Sequence, residues 1–148
     1  MKHLHRFLRL KRGDRHLLIR TLVLLSLIRL GLRLLPFRTL IQRLSAMHQP
    51  TSSFSPTHLR YVGRCVWAVN VSSRLMPGDI KCLARALTTH LLLNQYGVDT
   101  ELKLGVAKSM GGALEAHAWV EYQGQVIMGN LCDLSRFIPL PSLEGVRQ

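Results

Sequence analysis

Nowhere in its most apolar stretch, residues 16–35, does this chain hold an uninterrupted hydrophobic run of membrane-spanning length. Arg20, Arg29 and Arg33 break that stretch, and its longest uncharged piece, Thr21–Ile28, falls far short of the ~20 residues a helical span needs. The basic start could suit a signal peptide, but no small-residue cleavage site follows the apolar piece. Cysteine is scarce too. Cys65, Cys82 and Cys132 are an odd number at wide spacing, and neither a CxxC nor an HxxxH pair occurs. That argues against a zinc site and against a disulfide framework, and fits free thiols in a cytoplasmic chain. No cofactor is expected. Internal repeats and low-complexity runs are lacking, and no aromatic-interleaved basic motif points to nucleic acid.

What the sequence has is positive charge, unevenly spread. The net charge is +12, of which +10 falls in residues 1–48 and +2 in residues 49–148. Such asymmetry suits an acidic partner surface and by itself does not choose among partners. An apolar fraction of 47% over 148 residues supports a packed core rather than disorder. One domain is expected over residues 1–148, with a helical, basic part at 1–57 and a core at 58–148.

In chain order, a basic lead-in at 1–15 precedes a long helix over His16–Leu35, whose arginines can snorkel outward from an apolar body. Membrane contact is not the expected use of this helix. Pro36 ends it, and a short helix over Phe37–Met47 follows, with Leu40, Ile41 and Leu44 on one face. His48–Thr57 reads as a loop. His58–Leu75 has Val62, Cys65, Val66 and Val69 at helical spacing, and its Trp67 reads as a core residue. Pro77 and Gly78 break the chain, Asp79 is a good N-cap, and Cys82 then falls near the third position of a helix that Gly97 stops. Beyond it the period changes to two. Glu101–Ala107 alternates as a strand, and Ala116–Tyr122 and Gln125–Gly129 form an antiparallel hairpin around Gln123-Gly124. Helices first and an antiparallel sheet after define an α+β domain. The tail from Leu131 is expected to wrap back over the sheet.

Three residues could carry chemistry. A thiol in a helix's first turn lies near the positive end of the macrodipole, a setting that suits a nucleophilic sulfur. If Gln123 and Gly124 are the two turn residues, His117 opposes Asn130 across the hairpin, where directly paired side chains lie ~5 Å apart. Asn130 would then orient one nitrogen of His117 while the other faces a nucleophile; Asp133, three residues on, competes for that role. Cys82, His117 and Asn130 thus match the layout of a papain-like site. The plainer alternatives stay open on spacing alone: a small buried cysteine, a half-buried strand histidine and a strand-end asparagine.

The run CLARALTTHLLLNQYGVDTELKLGVA and the later AHAWVEYQGQV resemble the stand-alone leader peptidases of lasso-peptide biosynthesis, the lasso-peptide B proteins of the transglutaminase-like, papain-fold superfamily. The resemblance rests on Cys82-Leu83, the apolar helix to Leu93, Gly97, Leu104-Gly105-Val106 and, most specifically, Ala116–Glu121; the Leu34–Arg38 run LLPFR also fits. It implies a cysteine protease that cuts the leader from a ribosomally made precursor peptide, with Cys82 as nucleophile and His117 as general base. The family's third residue is usually an aspartate just after the hairpin, and this chain has Asn130 near that place. The resemblance further implies a small leader-binding partner protein and a separate ATP-dependent cyclase that uses the freed amine. Two other functions stay open: a transglutaminase-like acyl transfer to an amine by the same residues, and a non-catalytic membrane- or partner-binding protein whose working surface is the basic N-terminal third and not Cys82.

Overall fold

The computed structural model describes residues 9–46 and 57–141. The loop read at His48–Thr57 lies outside them except for Thr57. Among the described residues four α-helices, α1 (Arg12–Leu34), α2 (Phe37–Ser45), α3 (Thr57–Leu75) and α4 (Cys82–Gln95), precede a four-stranded antiparallel sheet of β1 (Glu101–Lys108), β2 (Leu114–Tyr122), β3 (Gln125–Met128) and β4 (Ile138–Pro139). The strand order is β3-β2-β1-β4. The architecture is α+β, helices first and sheet after.

The long helix forms because its apolar residues recur at helical spacing. Leu17, Leu18, Thr21, Leu25 and Ile28 are buried on one side, and the Thr21 hydroxyl donates to the Leu17 carbonyl at 2.7 Å, so no polar atom is left bare there. Leu35 is extended, as the residue before a proline prefers, and the helix stops at Leu34. In α3, Val62, Cys65, Ala68 and Val69 are buried. Trp67 is not the core residue expected from its size: two positions on from Cys65 it points some 200° around the helix, and it is 36% exposed.

α4 closes with a Schellman turn. Gly97 takes φ of 72°, its amide bonds Asn94, and the Val98 amide reaches back to Leu93. The start of α4 differs from the sequence expectation. Lys81, not Asp79, is the N-cap, and no side chain caps the helix. Gly78 at φ of 80° turns the chain, and Asp79 to Lys81 run without regular structure into the helix. Cys82 is therefore the first helical residue rather than the third.

The helices cover one face of the sheet. Ala118, Val120 and Tyr122 of β2 join Leu17, Val62, Val69, Leu92 and Leu93 in the main core. The other face carries a smaller layer of Ala107, Trp119 and Phe137. Gly105 makes this layer possible: a Cβ there would lie 2.8 Å from the Trp119 ring and 3.1 Å from the Phe137 Cβ. The tail does wrap back, since β4 pairs with Gly105 and Val106. Among the described residues no helix is long and apolar enough to cross a membrane.

Candidate active site

The hairpin turn is placed where the sequence puts it. Gln123 and Gly124 both have positive φ, 50° and 75°, as a type I′ turn requires, and Tyr122 pairs with Gln125. The register then slips. Glu121 pairs with Val126 but Val120 pairs with Met128, so Ile127 is an extra, bulged residue. β3 ends at Met128, and Gly129 leaves the strand at φ of 81°. The direct pairing of His117 with Asn130 predicted from a regular ladder is therefore not formed.

Instead His117 Nε2 lies 2.7 Å from the Gly129 carbonyl oxygen. A carbonyl only accepts, so Nε2 carries the hydrogen and Nδ1 is the nitrogen left for proton exchange. The imidazole lies in the outer layer, 6.3 Å from the Trp119 ring and nearly parallel to it, and 5.5 Å from the Phe137 ring. Gly129 was not singled out from the sequence. Its signal was a glycine directly after a strand, where a positive φ and close backbone approach are both cheap.

Cys82 opens α4, half-buried, and packs against the helix-side core. The first amides of α4 have no intrahelical acceptor and point toward the sulfur's end of the helix. α4 and β2 are in direct contact. The Cys82 and His117 side chains are not joined by a hydrogen bond: the thiol belongs to the helical side of the sheet, the imidazole to the Trp119–Phe137 layer. The other two thiols differ. Cys65 is fully buried, which pushes its pKa up to about 11, and Cys132 is exposed.

Asn130 is exposed and lies beyond β3. Asp133 is tied to Arg136, whose Nε donates to Oδ2 at 2.6 Å. That bond holds the Asp133 carboxyl below its usual range, and the nearby His117 acts in the same direction as the weakest contribution. Arg136 also donates to Glu115 and lies 4.7 Å above the Phe137 ring. It ties the 131–136 segment to the start of β2. Sequence reading did not find Arg136, because its partners are 3 and 21 residues away along the chain. Toward the other end of β2, Glu121 accepts from Trp119 Nε1 at 2.8 Å and from Lys103 Nζ at 2.7 Å. Together they order the outer face at the hairpin-turn end of the sheet.

No group of three or more His, Cys, Asp or Glu that could hold a metal ion occurs among the described residues. Comparison with curated proteins and with solved structures gives no match. Comparison with protein families does: residues 24–142 match the Transglutaminase-like superfamily, a span that includes Cys82, His117, Asn130 and Asp133. The match covers α2, α3, α4 and the whole sheet, and on that basis the chain belongs to the transglutaminase-like superfamily.

Proposed function

We propose that the protein is a cysteine peptidase that removes the leader from a ribosomally made, lasso-type precursor peptide. One observation carries the reading: in a chain of this superfamily, Cys82 is the first residue of a helix that packs on the strand bearing His117. The resemblance of Ala116–Glu121 to the lasso-peptide B proteins supplies the substrate class.

In this reading the Cys82 sulfur attacks the scissile carbonyl, and His117 Nδ1 takes the thiol proton and delivers it to the leaving amine. The leaving amine departs and a thioester remains on Cys82. Water, deprotonated by His117, then attacks the thioester, releasing the carboxylate product and restoring the thiol. The Cys82 amide is the first candidate oxyanion donor, because it has no partner within the helix. The Gly129 carbonyl accepts from Nε2 and so keeps it protonated; Asp133 and Asn130 are the side chains proposed to support it. Catalytic hydrogen bonds of this kind commonly close only with substrate in place. Partners in this reading are a small leader-binding protein and an ATP-dependent cyclase, in the cytoplasm.

The test is mass spectrometry of a precursor peptide incubated with the protein and its leader-binding partner. Wild type should release a leader-sized fragment, and Cys82→Ala and His117→Ala should not. Cleavage by Cys82→Ala overturns the mechanism. An amine-accepting transferase would share the thioester, so the reaction is run in oxygen-18 water: hydrolysis places one heavy oxygen in the new carboxylate, and transfer places none.

A further inference from the structure

Beside the start of α4 is a polar cavity of about 270 Å³ that the catalytic scheme does not use. Its lining includes Asn70, Ser73 and Arg74 from the last turns of α3, Asp79 from the connection, and Arg85 from α4. Arg85 stands three residues after Cys82, on the same side of the helix by spacing. Its Nη2 donates to Asn70 Oδ1 at 2.6 Å, while its Nε is buried and has no hydrogen-bond partner. A buried guanidinium nitrogen left unpaired is costly. Two guanidiniums face the cavity against one carboxylate, Asp79, and Arg29 adds a third cation close by through its 2.8 Å bond to the Pro77 carbonyl. An excess of positive charge, a planar donor fork and an unfilled donor together select a carboxylate.

We propose that this cavity is a substrate subsite that binds a carboxylate of the acyl-donor peptide next to the scissile bond. The assignment rests on Cys82 being the reacting thiol. Arg85 and Arg74 are its binding residues, and Asn70 is a positioning residue that orients the Arg85 fork. The subsite selects peptides with an acidic side chain, or a free carboxy terminus, close to the bond that is cut.

The probe is alkylation of Cys82, followed by peptide mapping, with iodoacetate and with neutral iodoacetamide. It needs neither the precursor nor catalytic turnover, so it can fail while the peptidase reading stands. The iodoacetate-to-iodoacetamide rate ratio at Cys82 should exceed that of free N-acetylcysteine by about tenfold, which lies between the attraction of a close charge pair in bulk water and that of one near a protein surface. N-acetylglutamate amide and N-acetylglycine are the competitors, presenting a side-chain and a terminal carboxylate respectively. Whichever protects Cys82 names the source. Arg74→Gln removes a charge from an exposed helix end and should cut the preference severalfold; Arg85→Lys keeps the charge, loses the fork and should weaken the competitor. If Arg85→Lys fails to fold, Arg74→Gln decides alone. A ratio equal to that of N-acetylcysteine, or a preference that Arg74→Gln leaves intact, overturns the subsite.

Discussion

His117 is held by a main-chain atom, and that gives Gly129 a sharper role than either neighbouring side chain. A Cβ at Gly129 would fall 2.6 Å from the Ala118 carbonyl and 3.1 Å from Trp119, at φ of 81°. Gly129→Ala should therefore destabilise by about 1–3 kcal/mol, the scale of a strained backbone position. It should also displace the carbonyl from His117 Nε2. Gly124 has a similar φ but nothing within 4 Å of a Cβ, so Gly124→Ala should cost clearly less. Paired thermal melts check this, and equal losses would remove the special role of Gly129. A second residue-scale expectation concerns acid. Burial acts to raise the Glu121 pKa, but the Lys103 and Trp119 hydrogen bonds outweigh it and hold the carboxyl below its ordinary 4.5. A depressed carboxyl stabilises the fold above its unfolded value and loses that contribution as pH falls through the folded one. Glu121→Gln should flatten the acid limb of stability below about pH 4.5, read from denaturant midpoints across pH. An unchanged acid limb would mean the Lys103–Glu121–Trp119 cluster carries none of it.

Among the elements, α1 tests whether the helix faces are assigned correctly. Leu25 is wholly buried and Leu27, two residues on, is 59% exposed. Leu25→Ala should cost about 2–5 kcal/mol and Leu27→Ala less than about 0.5 kcal/mol. Comparable losses at both positions would contradict the packing. Helix and strand identities were legible because each element keeps one period throughout, from Leu17–Ile28 to the alternating Leu102, Leu104 and Val106. The departures sit where no period speaks. Asp79 reads as a cap on residue type alone, yet the turn at Gly78 delays the helix to Cys82. Trp67 reads as core by size, yet its angle around α3 takes it outward. The bulge at Ile127 inserts one residue without any change of composition, and that single residue separates Asn130 from the pairing that places it opposite His117.

For the whole molecule, the order of helices before sheet and the sulfur at a helix start were readable from the sequence. The two-layered sheet was not. Helices cover Ala118, Val120 and Tyr122, while Trp119 and Phe137 build a second layer around His117, and that division depends on Gly105 and on a tail whose Ile138 and Pro139 return to pair with Val106 and Gly105. Cys82 and His117 are thus supported by different layers on elements that touch, and the proposed peptidase needs them to work as one acyl-transfer unit. The most direct test is acid-quenched mass spectrometry of the protein mixed with precursor peptide and leader-binding partner, with the adduct mapped by digestion. Wild type should carry an acyl adduct of leader mass on the peptide that contains Cys82. Cys82→Ala should carry none, and His117→Ala should give a strongly reduced yield. Leader release with the adduct on another residue, or release undiminished in Cys82→Ala, would rule out Cys82 as the nucleophile.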